Sequence, residues 1–316
     1  MNKRSISVIV PVYNSEQTLV ALHKRLNSVC TKLAGEFEII FVNDGSIDNS
    51  WEEIKNLEEK NPSVVGVNLM KNFGQHNALL CGIRKAKYEL IATLDDDLQN
   101  PPEELPKLIE KLNEDFDVVY GKPEKEQHGL FRNISSVITK ISLKTTMGVE
   151  NAKNVSAFRV FRTQLREAFK QYSGSFISID VLLTWGTNRF TTVPVKNDDR
   201  QFGRSNYTFS KLFVHALNMI TGFSVLPLQI ASMLGFIFAF FGLSILIYIV
   251  ILYMLVGTPV QGFPFLVSII VVFSGVQLLS IGIIGEYLAR MYFRTMDSPQ
   301  YIAMENHYES KINRNA

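Results

Sequence analysis

Three consecutive carboxylates, Asp95, Asp96 and Asp97, follow a short apolar run and precede Leu98-Gln99-Asn100-Pro101-Pro102-Glu103-Glu104. Adjacent carboxylates repel one another unless a cation or ligand offsets their charge. Oxygen ligands spaced this closely suit a hard cation such as Mg²⁺ or Mn²⁺, which would in turn hold a diphosphate. The competing reading is a solvated acidic turn capping a helix that Pro102 opens. Two further polar turns, Pro11-Val12-Tyr13-Asn14-Ser15-Glu16 and Asn43-Asp44-Gly45-Ser46, also follow apolar runs. Asp44 can accept hydrogen bonds from a base or ribose, and Gly45 lets backbone approach a ligand. Otherwise that segment is a tight turn, with Asp48 or Ser46 capping the next helix.

Regular elements must position these turns. Residues 6–10, 37–42, 64–69, 89–94 and 117–120 read as strands, and 18–33, 49–60, 75–86 and 103–113 carry the 3.6-residue periodicity of helices. Strand and helix in alternation predict an α/β fold with a mostly parallel sheet covered on both faces, because a parallel connection needs a crossover. Ligands bind such sheets beyond the strands' carboxyl ends, where all three polar turns fall.

Charge divides the chain in two. It has 32 Lys and Arg, 30 Asp and Glu and a net charge of +2, yet residues 212–285 hold none of these four types. A window this long without charge excludes an ordinary soluble chain. Residues 230–256 and 263–284 are each long enough to cross a hydrocarbon core of about 30 Å. Gly257-Thr258-Pro259-Val260-Gln261-Gly262 between them reads as a turn, so the spans form a hairpin. Lys211 lies before the hairpin, Arg290 and Arg294 lie after it, and the turn has no basic residue. The positive-inside rule therefore expects a multi-pass protein of the inner (cytoplasmic) membrane, with the head and both termini cytoplasmic. Residues 209–223 have the mixed pattern of an interfacial helix, and 286–293 supply Tyr and Arg suited to head-group level. The later tail is polar and expected to wrap the head. Gly285 and Ala289 form a small-residue pair at helical spacing, a weak pointer to association of membrane helices.

The low net charge argues against nucleic acid as a partner. Cys30 and Cys81 are the only cysteines, which excludes a disulfide framework and fits a reducing compartment. The apolar run at 8–12 is short and interrupted by Pro11, unlike a signal-peptide core.

The series Pro11-Val12-Tyr13-Asn14, Val42-Asn43-Asp44-Gly45-Ser46, Lys71-Asn72-Phe73-Gly74 and Asp95 to Pro102 resembles the inverting family-2 glycosyltransferases. More narrowly it is similar to the polyprenyl-phosphate glycosyltransferases, a group that includes dolichol-phosphate mannose synthase and bacterial undecaprenyl-phosphate sugar transferases. The likeness continues through Phe158-Arg159, residues 200–207, the two spans and Gly285-Glu286-Tyr287-Leu288, and so covers nearly the whole chain.

This resemblance implies a glycosyltransferase A-type (Rossmann-like) fold, a nucleotide-sugar donor and a polyprenyl phosphate acceptor; between UDP and GDP the sequence leaves the donor open, with a UDP-sugar favoured. The enzyme would be metal-dependent, of hexosyltransferase type, and a homo-oligomer as several relatives are. Residue by residue, Pro11, Tyr13 and Asp44 would hold the nucleoside, with Glu16 and Lys71 also on the donor side. Asp95, Asp97 and Gln99 would surround Mg²⁺ or Mn²⁺, with Asp95 also on the donor side, and Asp97 and Asp96, the latter nearer the donor sugar, would be catalytic. The implied organisation is a cytoplasmic glycosyltransferase domain (1–208), an interfacial amphipathic helix (209–228), two transmembrane helices (229–285) and a juxtamembrane helix with tail (286–316).

A lipid phosphate must be held near the membrane by cations. Arg200, Arg204 and Ser205 in the loop before the interfacial segment fit that need, with Arg159 a further candidate. Several relatives have an acid directly before the Phe-Arg pair, where this chain has Ser156-Ala157. Asp180 is the reserve candidate for a base or a sugar contact, or else an exposed or helix-capping acid. Two other readings compete. A processive polysaccharide synthase would normally carry Gln-x-x-Arg-Trp, which neither Trp51 nor Trp185 completes. A non-catalytic nucleotide-sugar-binding membrane anchor would leave the acid cluster idle.

Overall fold

The structure is a computed structural model, and it describes residues 4–112, 115–124, 155–174, 177–198, 226–256, 262–296 and 299–304. The expected interfacial helix at 209–223 and the loop with Arg200, Arg204 and Ser205 lie outside the described residues, as does most of the turn at 257–262.

Strands β1 (Ile6–Val12) and β2 (Phe37–Asn43) are buried almost throughout. Strands covered on both faces need apolar residues at successive positions, so they read as runs rather than as alternation. Alternate residues nevertheless serve opposite faces. Val8, Val10, Ile39 and Phe41 enter one core with Leu22 and Leu26 of helix α1 (Leu19–Leu33), Ile54 of α2 (Ser50–Lys60) and Leu108 of α4 (Leu105–Leu112). Ile9, Ile40 and Val42 enter a second core with Leu79, Leu80 and Ile83 of α3 (Gln75–Lys85).

The sheet has seven strands in the order β3-β2-β1-β4-β6-β5-β7. Here β3 is Val64–Asn68, β4 Leu90–Thr93, β5 Val118–Pro123, β6 Arg159–Arg162 and β7 Phe190–Val195. β1 pairs in parallel with both β2 and β4. β6 enters antiparallel between β4 and β5, so Arg159 faces Thr93 on one side and Tyr120 on the other. Periodicity alone does not reveal β6 or β7, or the short α5 (Ile179–Thr184) that packs into the second core. Residues 301–304 belong with the head, where Ala303 makes an antiparallel bridge to Leu69.

A second unit, Phe209–Asp297, contains α6 (Leu226–Val256) and α7 (Phe263–Thr295). Their apolar windows, Pro227–Leu252 and Val272–Tyr292, have mean hydropathies of 2.7 and 1.5 and are long enough to cross a membrane. The two helices touch through rings, Phe238 meeting Phe273 edge-on at 5.6 Å. α7 runs unbroken past Gly285 to Thr295, and its 33 residues extend about 50 Å at 1.5 Å per residue.

Candidate active site

The turns after β1 and β2 are stitched to each other. The Asp44 amide donates to the Val12 carbonyl at 2.8 Å. Asn14, at φ 55°, donates its amide to Ser46 Oγ at 3.0 Å and accepts the Ile47 amide on Oδ1 at 2.9 Å. The Glu16 carboxylate accepts the Asn49 amide at 2.9 Å, next to the start of α2, and Asp48 accepts the amides of Glu16 and Ser50.

The connection from β3 to α3 is held against the same corner. The buried Asp44 carboxylate accepts the amides of Phe73 (2.7 Å) and Gly74 (2.9 Å). Burial raises its pKa, and those two amides work in the opposite direction. Gly45 is required here. Its φ is +66°, and a Cβ would stand 2.5 Å from the Asn72 nitrogen, where the neighbouring backbone passes.

The three aspartates at the carboxyl end of β4 diverge. Asp96 turns to the β1 loop, where Oδ2 accepts Ser15 Oγ at 2.5 Å and the Tyr13 amide at 3.2 Å. Burial raises its pKa, with these donors opposing and neighbouring Asp97 adding to the rise. Asp95 accepts Gln75 Nε2 at 2.6 Å, and Asp97 accepts the Gln99 amide at 3.1 Å. Leu98 closes the turn at φ 61°, a conformation costly for a residue with a Cβ, while its side chain is buried in the first core. The Gln99 carbonyl accepts the Asp198 amide at 2.9 Å, tying the segment after β7 to this turn.

Beneath the turn lies a buried polar network. Arg159, 2% exposed, donates Nε to Thr93 Oγ1 at 3.0 Å and NH1 to Asp180 Oδ1. The Tyr120 hydroxyl donates to the same oxygen at 3.0 Å, and Thr93 Oγ1 donates to the Ala157 carbonyl at 2.7 Å. Burial opposes the charge on Arg159, but Asp180, Tyr120 and Asp95 outweigh it, so its pKa lies above the usual value. Burial and the Asp180 charge push the Tyr120 phenol well up. α3 and α5 meet at this level, with the Ile179 amide donating to His76 Nδ1 at 3.4 Å.

Three of the expected site residues have partners within the protein. Arg159, expected on the acceptor phosphate, is fully inside and pairs with Asp180, because β6 places it between Thr93 and Tyr120. Asp96, expected near the sugar, faces Ser15 and the Tyr13 amide. Glu16, expected on the donor, accepts the Asn49 amide on Oε2. Tyr13 is 43% exposed, Pro11 is buried in β1, and Lys71 is exposed with Nζ 5.1 Å from the Phe73 ring centre. Among the described residues no three His, Cys, Asp or Glu side chains converge as a metal cage. The sequence reading missed Ser15, Gln75, Thr93 and Tyr120. Ser15 lies in the polar turn after the first strand, and Thr93 is a polar residue within an apolar strand two places before the acids; Gln75 and Tyr120 had no local signal.

The Glycosyl transferase family 2 profile matches residues 7–173. Undecaprenyl-phosphate 4-deoxy-4-formamido-L-arabinose transferases from Salmonella choleraesuis and Salmonella paratyphi B are each 32% identical over 305 residues, covering 96% of this chain and 93% of theirs. Among solved structures, mannosyl-3-phosphoglycerate synthase from Rubrobacter xylanophilus superposes with a TM-score of 0.50 at 14% identity, covering 68% of this chain and 72% of that one. That likeness concerns the fold, which is the glycosyltransferase A type. The matched profile spans both the polar loops after β1 and β2 and the acid turn, and the relatives align along nearly the whole length, so the chain belongs to glycosyl transferase family 2.

Proposed function

We propose that this enzyme transfers a sugar, with inversion at the anomeric carbon, from a UDP-sugar to undecaprenyl phosphate or a related polyprenyl phosphate. The carrying observation is the acid turn at the carboxyl edge of β4, beside the stitched loops of β1 and β2, in a chain that also has two helices of membrane length. The named acceptor of the Salmonella relatives supports the lipid phosphate.

In this reading Pro11, Tyr13, Asp44 and Lys71 border the nucleoside. Asp95, Asp97 and the Gln99 side chain hold Mg²⁺ or Mn²⁺. Two carboxylates and an amide oxygen fit such an ion, which commonly completes its shell with phosphate oxygens and water rather than with an all-protein cage. When bound, the cation offsets the charge gathering on the departing diphosphate. Arg200, Arg204 and Ser205 hold the acceptor phosphate, Arg through paired hydrogen bonds. A phosphate oxygen attacks the anomeric carbon as the bond from that carbon to the donor diphosphate breaks, and the electron pair leaves with the nucleoside diphosphate. A phosphate monoester with a second pKa of about 6 is largely ionised near neutrality, so no strong base is required. Asp180 accepts Tyr120 and Arg159 on Oδ1, and in this reading it is the reserve candidate for contacting a sugar hydroxyl.

In this reading the two long apolar helices form a membrane hairpin with both ends on one side. Lys211 before it and Arg290 and Arg294 after it support the cytoplasmic side of the inner membrane.

The test is transfer of radiolabel from a panel of UDP- and GDP-sugars, including a 4-deoxy-4-formamido-L-arabinose donor, into undecaprenyl phosphate in membranes. Labelled lipid that requires Mg²⁺ or Mn²⁺, disappears with EDTA and is lost in Asp97→Ala is the expected result, and the active donor names the sugar. Folded, membrane-inserted protein that labels no lipid from any donor rules the reading out.

A further inference from the structure

Strand β3 ends the sheet order and pairs with β2 alone among the strands, so its far side would present unpaired backbone groups. The chain beyond the membrane helices covers that edge. The Met70 amide donates to the Ile302 carbonyl at 2.9 Å, and the Met304 amide donates to the Asn68 carbonyl at 2.8 Å, flanking the bridge between Leu69 and Ala303. Tyr301 packs against the second core, with its ring 5.7 Å from the Arg84 guanidinium carbon. Gln300 Nε2 donates to the Gly174 carbonyl at 3.2 Å.

Two routes lead from this strap to the donor side. The first follows the backbone, since residues 69–74 run from the bridge to the amides of Phe73 and Gly74, which Asp44 binds, and pass against Gly45 on the way. The second runs through side chains. Asn68 Nδ2 donates to Met304 Sδ at 3.3 Å, Asn43 Nδ2 donates to Asn68 Oδ1 at 2.7 Å, and the Ser46 amide donates to Asn43 Oδ1 at 3.3 Å. Residues 300–304 therefore brace both the Asn43-Asp44-Gly45-Ser46 turn and the 69–74 connection from outside the sheet.

We propose that residues 300–304 are positioning residues for the nucleotide donor, a proposal that rests on the reading of the donor site above. The donor-binding loops reach their working geometry only when the chain has passed through the membrane hairpin and docked its return segment on β3. Nucleotide affinity is thereby linked to completion of the whole chain, without any tail residue touching the substrate.

The test uses full-length protein in lipid nanodiscs and the variants Tyr301→Ala, Met304→Pro and Tyr301→Phe. Met304→Pro removes both the amide donor to the Asn68 carbonyl and the thioether that Asn68 Nδ2 reaches, and Tyr301→Phe keeps the ring. Hydrogen exchange is read at 43–46 and 69–74 with and without UDP and Mn²⁺, and donor KM, acceptor KM and kcat are read separately. The expected result is faster exchange at 69–74 and a donor KM raised roughly 5- to 10-fold in Tyr301→Ala and Met304→Pro, the scale of one lost backbone bond or packing contact. Acceptor KM and kcat stay within about twofold, and Tyr301→Phe restores donor KM. If UDP protects both segments in the unaltered protein while the two variants match its exchange and donor KM, the proposal is wrong and the donor-site reading survives. If UDP protects neither segment in the unaltered protein, the donor-site reading fails and the proposal falls with it.

Discussion

Removing either member of the Arg159 and Asp180 pair should cost more than any other single change in the head. Asp180→Ala leaves the Arg159 guanidinium buried, with 2% side-chain exposure, beside Thr93 and a Tyr120 hydroxyl that has also lost its acceptor. Breaking a buried pair by deleting one partner costs about 3 to 5 kcal/mol, because the remaining charge is stranded away from water. For a domain of this size 1 kcal/mol corresponds to roughly 2 to 4 °C, so a loss of about 3 kcal/mol lowers the melting temperature by about 6 to 12 °C. Arg159→Met should fall in the same range. The double variant Arg159→Met with Asp180→Leu removes both charges and should be less destabilised than the sum of the singles, by about 1 to 3 kcal/mol. The chain supplies its own reporter. Cys30 and Cys81 are its only cysteines, both are buried in the head, and burial pushes their thiols up to about 12 and about 11. A thiol-reactive fluorophore added to nanodisc-embedded protein therefore labels them as the head opens on heating. Single variants that melt within about 2 °C of the parent, or a double variant that is simply additive, would refute the view that a coupled buried pair supports the acid turn.

Two further outcomes follow from the loops around the site. Burial raises the Asp96 pKa, so the stability linked to its protonation is fully present below the ordinary aspartate range and is lost as pH rises through the elevated value. Asp96→Asn keeps an oxygen for Ser15 and Tyr13 but carries no charge. Its melting temperature should therefore fall less than the parent's between about pH 4 and about pH 8, and parallel pH profiles would count against the burial of that carboxylate. Gly45→Ala should weaken nucleotide binding and destabilise the head by at least about 1 to 2 kcal/mol, the cost of the left-handed conformation before the clash with Asn72 is added. Calorimetric titration with UDP and Mn²⁺ checks the first effect, and an unchanged affinity would show that the loop at 71–72 need not pass so close.

Periodicity and composition are local properties, and they carried the alternating strands and helices, the acid turn at the end of β4 and the two long apolar helices. A run of apolar residues specifies burial wherever it docks, and a charge-free stretch long enough to span a membrane is recognisable without knowledge of its neighbours. The order of motifs along the chain was likewise enough to point to the family.

Tertiary structure decided which carboxylate meets which donor. Asp95, Asp96 and Asp97 are indistinguishable by type, yet Asp96 is drawn to Ser15 because β1 pairs with β4 and brings its loop alongside. Arg159 meets Thr93 and Tyr120 because β6 lies antiparallel between β4 and β5, a placement set by pairings with distant strands. The strap at 300–304 depends on an unfilled edge of β3, and no residue near Tyr301 in the sequence reports that edge. A side chain's chemistry is written in its type, but its partner depends on which segments the fold makes adjacent, and in this protein those segments are far apart along the chain.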